Sequence, residues 1–251
     1  MEMRNGTNLV YRYDGTFPGF LCCVAQCFFD KRLPSGIQTF DEPQATIFPI
    51  QAIETDDALA RRVERSIIEK ISPLVFDMTR RAFLTCMEEK ELHMLRFLLL
   101  GYRHGAKVVK LSSNDDVYRM DKALLYLKNE AHYHVEFLRF SDFHTFLAAQ
   151  ITPNNNVLPL IAPHFCDRFS CENFMIYDKT HELGFFYQTT GRREFFRAEK
   201  LELPPVGEEE EAYRALWKRF YDTIAIEGRK NEKLRMTHMH KRYWNNMTEF
   251  Q

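Results

Sequence analysis

Apolar residues recur at two different periods along this chain, and the change of period divides it. Between residues 55 and 135 the period is helical. Leu59, Val63 and Ile67 fall on one face, and Val117, Met120, Leu124, Leu127 and Ala131 fall on another. Start signals frame these runs. Thr55 is expected to cap a helix whose start Asp56 and Asp57 favour, and Ser72-Pro73 has the cap-then-proline order of a helix beginning. Further helices are expected over Glu89–Tyr102 and from Asp115 to about Val135. Beyond that point short alternating runs predict strands over Phe137–Ser141, Thr145–Ile151, Phe174–Asp178, Leu183–Gln188 and Glu194–Glu199. Thr189-Thr190-Gly191 supplies a hairpin turn, and Leu158–Phe169 reads as a short helix between the second and third strands.

The two ends complete the pattern. Asn8–Tyr13 alternates as a strand, Asp14-Gly15 turns, and Thr16 caps a helix carrying Leu21, Val24 and Phe28 on one face. Arg32–Gln44 contains Pro34, Gly36 and Pro43 and reads as a loop, with a second strand over Ala45–Ile50. After Glu208–Glu211, Tyr213, Leu216, Trp217, Phe220 and Ile224 give a late helix a strong apolar face. The expected class is α+β. Its N-terminal half is helical, and its C-terminal half is an antiparallel sheet with flanking helices. One compact unit over residues 1–251 is expected, subdividing into a helical region, residues 1–135, and a sheet region, residues 136–251.

Composition narrows the function classes. The chain has 251 residues, 45% hydrophobic and 27% charged, which are globular values. Its net charge of -1 means that any nucleic-acid surface must come from local asymmetry. The count of 22 phenylalanines points to an aromatic core and a stacking surface. No secretory signal or membrane-length apolar run is present, so Cys22, Cys23, Cys27, Cys86, Cys166 and Cys171 read as reduced thiols of a cytoplasmic protein.

Chemistry-bearing residues concentrate between 130 and 169. Glu130, His132 and His134 precede Arg139, and His164 and Arg168 lie four apart, on one face of the short helix. Glu130, His132 and His164 are candidates for acid–base work, and Arg139 and Arg168 for an anion. A buried polar network explains the same residues as well. Metal is not expected, because His164-x-Cys166-x4-Cys171 lacks a Cys-x2-Cys pair. No cofactor is expected either: the chain has no phosphate-cradling glycine loop, and it has no nucleophile elbow. The tail over 228–244 carries Arg229, Lys230, Lys233, Arg235, Lys241 and Arg242 against Glu232 alone. With Asn231, Tyr243 and Trp244 it suits phosphate contacts and base stacking, or docking on an acidic segment.

An ordered set of motifs carries a resemblance over nearly the whole chain. It runs from Tyr13-Asp14-Gly15-Thr16-Phe17-Pro18-Gly19-Phe20 through Glu130-x-His132 and Phe137-x-Arg139-Phe140. It continues with Leu158-Pro159-Leu160, His164-Phe165-x-x-Arg168-Phe169 and Ile176-Tyr177-Asp178. Ile226-Glu227-x-Arg229-x-Asn231 and Arg242-Tyr243-Trp244 complete it. The set resembles a bacterial family of DNA-metabolism proteins of unproven activity. They are encoded beside a radical-SAM DNA modification or repair protein, and some are fused to a uracil-DNA-glycosylase-like domain. The chain departs from that pattern at Asn129, Glu136 and His240, where the family has Arg, Gly and Pro.

The resemblance implies a DNA-binding or accessory protein of a repair system with a radical-SAM partner. It does not decide whether the chain is an enzyme. One alternative is a glycosylase- or nuclease-like enzyme using Glu130, His132, His164 and Arg168. The other is a protein-interaction scaffold.

Overall fold

The computed structural model describes residues 4–41, 44–224, 228 and 231–250. Two compact units divide the chain, Met1–Tyr126 and Leu127–Gln251, and the boundary falls inside one long helix.

The first unit is built on a parallel sheet. Strand β1 (Arg4–Tyr13) lies between β2 (Arg32–Thr39) and β3 (Ile50–Ala52). Helix α1 (Phe17–Asp30) makes the crossover that parallel pairing of β1 and β2 requires. Thr16 caps it as expected, its hydroxyl accepting the Gly19 N–H at 3.0 Å. The segment read as a loop from Arg32 is instead β2. As an edge strand it tolerates Pro34 and Gly36, and Ile37 points into the core. The second strand is also later than expected, at Ile50–Ala52.

Helix α2 (Asp57–Lys70) is capped by Asp56 rather than Thr55, because the Thr55 hydroxyl donates to Asp14 at 2.7 Å. Helices α3 (Pro73–Ala82), α4 (Lys90–His104) and α5 (Asp115–Phe137) follow, the first capped by Ser72 as its sequence signal indicates. Tyr11, Tyr13, Phe20, Phe97 and Leu98 fill the core. The buried Tyr13 hydroxyl donates to Glu91 at 2.9 Å, so its polar end is satisfied.

The second unit holds a five-stranded sheet with the order β4 (Ser141–Asp142), β5 (Leu147–Ile151), β6 (Phe174–Asp178), β7 (Leu183–Tyr187) and β8 (Arg193–Arg197). Its neighbours are antiparallel except β5 and β6, which run parallel because α6 (Leu158–Arg168) crosses between them. The strand expected over Phe137–Ser141 shrinks to Ser141–Asp142. Helix α5 continues to Phe137, whose ring stacks on Tyr133 one turn earlier, at 6.2 Å. Phe140, Phe165, Phe169 and Phe174 form an aromatic cluster between α6 and the sheet, with ring centres 4.9–6.3 Å apart. Gly184 leaves room for the Phe196 ring of the neighbouring strand to lie across it.

Helices α7 (Glu208–Ile224) and α8 (Glu232–His238) and two short 3-10 turns, Lys241–Asn246 and Thr248–Phe250, complete the unit. The fold is α+β, with helices prevailing in the first half and the larger sheet in the second. One apolar face is left uncovered by the described residues. None of the residues of α7 is buried, and Tyr213, Leu216, Phe220 and Ile224 are each more than half exposed.

Candidate functional site

Two polar assemblies stand out in the second unit. The first is built on Glu130, which α5 places at zero exposure. A buried carboxylate must be paired or protonated. Glu130 accepts the backbone N–H groups of Asn154 and Asn155 at 3.0 and 2.8 Å and the Asn155 amide at 2.6 Å, and it pairs with Arg242 at 2.7 Å. The network therefore ties α5 to the loop before α6 and to the C-terminal segment. One helical turn on, His134 is buried against Tyr243, with ring centres 5.0 Å apart and the planes nearly perpendicular.

The Nε2 atom of His134 is buried with no hydrogen-bond partner among the described residues. Burial pushes the His134 pKa down to about 4. The nearby carboxylates of Glu130 and Asp178 oppose that shift, and the Arg242 charge reinforces it. Asp178, at the end of β6, is itself fully buried and held by His181, whose Nδ1 lies 2.7 Å away.

The second assembly is a solvent-open groove of two lobes that share Arg139, Arg214 and Thr248. One lobe, of about 370 Å³, is walled by Phe140, Tyr213 and Trp217. The other, of about 240 Å³, is lined by Ser141, Gln150, Lys179 and Asn246. Glu249 organises the junction: it accepts from Arg139 at 2.9 Å and from the Trp217 indole N–H at 3.3 Å. Arg214 pairs with Glu210 at 2.8 Å and donates to the Ser141 hydroxyl. Lys179 is exposed and has no ion pair among the described residues. Arg139 and Arg214 are thus paired with the carboxylates of Glu249 and Glu210 beside the rings of Phe140, Tyr213 and Trp217, and Lys179 lines the second lobe.

The residues singled out from sequence are placed differently from one another. His132 is exposed and sits 3.1 Å from Glu136. His164 and Arg168 share the outer face of α6 and are both exposed; their described contacts are with the rings of Phe165 and Phe169. No hydrogen bond or ion pair links Glu130, His132, His164 and Arg168 to one another among the described residues. Among the described candidates Arg139 alone lines the groove. Cys166 is buried between exposed His164 and Cys171. No group of three His, Cys, Asp or Glu side chains among the described residues is placed to hold a metal.

The basic tail is largely built into the fold. Asn231 caps α8, its side chain accepting the Leu234 N–H at 3.0 Å. Arg235 lies over the rings of Trp244 and Phe250, which stack at 4.5 Å. Tyr243 is buried, and Lys241 stays exposed. Arg229 lies outside the described residues.

Sequence reading missed Lys179, Arg214, Trp217 and Glu249 as one site. A partial signal existed: residues 210, 213, 214 and 217 share a helical face that mixes charge and aromatic rings.

No described helix is long and apolar enough to cross a membrane. No curated protein and no solved structure matches the chain. A family model does match, over residues 88–249, which takes in α4, α5 and nearly all of the second unit with both polar assemblies. The chain belongs to the family described as a domain of unknown function, DUF4130.

Proposed function

We propose that this protein is a DNA-binding or accessory protein of a DNA modification or repair system, acting beside a radical-SAM partner. The observation that carries the reading is the groove in which Arg139 and Arg214 adjoin Trp217 and Tyr213 in one lobe and Lys179 in the other. Cations that track a backbone beside rings that accept a base are the two components of nucleic-acid binding. The partner follows from the resemblance alone. A glycosylase- or nuclease-like activity at Glu130, His132, His164 and Arg168 draws less support, because the Glu130 carboxylate is already engaged by four contacts from Asn154, Asn155 and Arg242.

The test is fluorescence anisotropy with labelled oligonucleotides over a range of salt concentrations. Binding should weaken as salt rises. Lys179→Ala should lower the slope of log affinity against log salt by about one unit, the loss of one phosphate contact. A protein that binds no DNA at low salt, alone or copurified with the radical-SAM protein, would refute the reading.

A further inference from the structure

We infer that the exposed face of α7 is a stacking platform for unpaired bases, so that the groove takes single-stranded rather than duplex DNA. This rests on the nucleic-acid reading above and deepens it.

Tyr213, Trp217 and Phe220 are 62%, 41% and 52% exposed, and they lie at positions i, i+4 and i+7 of one helix. The rings of Trp217 and Phe220 are 5.8 Å apart. A contiguous exposed apolar patch of this kind marks a binding surface. Its occupant follows from what adjoins it. Trp217 and Tyr213 are also walls of the lobe that opens onto Arg139 and Arg214. The indole is oriented by the same Glu249 carboxylate that holds the Arg139 guanidinium. A ring and a guanidinium fixed by one carboxylate match a ligand in which a flat π-face lies beside an anion, as a nucleotide does. Duplex DNA keeps its base faces inside the stack, so the platform can engage only strands whose bases are free.

The chain has two tryptophans, and Trp244→Phe leaves a ring against Phe250 and makes Trp217 the single indole reporter. Titration of the full-length Trp244→Phe protein with a short oligothymidylate should quench its emission, whereas a matched-length duplex should not. Trp217→Ala should weaken single-strand affinity by about 5- to 150-fold without changing the salt slope, and Trp217→Phe should recover most of the loss. Duplex affinity should be unchanged by either substitution. If Trp217→Ala binds single strands as tightly as the parent, the platform is disproved. Salt-dependent binding that persists in that case keeps the groove as a phosphate site and leaves the α7 face to a protein partner. If neither form of DNA binds, both readings fall.

Discussion

The Arg242 guanidinium lies 2.7 Å from the fully buried carboxylate of Glu130, joining the C-terminal segment to the last third of α5. Removing one partner of a buried pair strands the other charge away from water, which costs more than the pair itself is worth. Arg242→Met should therefore destabilise the protein by about 3 kcal/mol. The double variant Glu130→Gln with Arg242→Met should lose less than the two single losses combined. Urea denaturation of the four proteins gives the coupling, and simple additivity would show that the pair does not hold the tail.

His134 predicts a pH dependence. Its folded pKa of about 4 lies below the ordinary 6.5, so between these values the unfolded chain binds more protons than the folded one. Stability is then complete above pH 6.5 and falls as pH drops toward about 4. The size of that fall is at most about 3 kcal/mol. His134→Phe keeps a ring against Tyr243 and should flatten this stretch of the profile. An unchanged acid limb in that variant would place the titration elsewhere.

Gly19 is a close-approach glycine. A Cβ there would sit 2.7 Å from the Thr55 hydroxyl and would collide with the Asp14 carboxylate, the two groups that bond to each other. Gly19→Ala should lower stability by about 1–3 kcal/mol despite the better helix propensity of alanine. A thermal midpoint at or above that of the parent would mean that the Asp14 turn can move aside without cost.

The two tryptophans should separate in their effects. Trp244 stacks on Phe250, lies under Arg235 and donates its indole N–H to the Met239 carbonyl at 3.2 Å. Trp244→Ala should cost about 2 kcal/mol, less than for a fully buried tryptophan. Trp217→Ala, on an exposed face, should cost about 1 kcal/mol or less. Calorimetry that ranks them the other way would make α7 a stability element and weaken its assignment as a surface for a ligand.

Much of the local structure was legible because its causes are local. Thr16 and Ser72 cap the helices that follow them, and the strand Phe174–Asp178 starts and stops where its alternating pattern does. A cap or a side-chain period depends on residues a few positions apart, and a sequence displays those directly. The misreadings came where a neighbour decided. Pro34 and Gly36 argue for a loop until β1 offers an edge to pair with. Periodicity identified the apolar face of α7, but a period cannot say what covers a face, and here the described residues leave it open. The same holds for the charges. Arg242 and Tyr243 look like a nucleic-acid tail in sequence. Tertiary structure alone decides that Glu130 and His134 take them, because a buried carboxylate holds whichever cation the topology brings within reach. It decides equally that Arg139, Arg214 and Lys179, from three separate segments, line one groove beside Trp217.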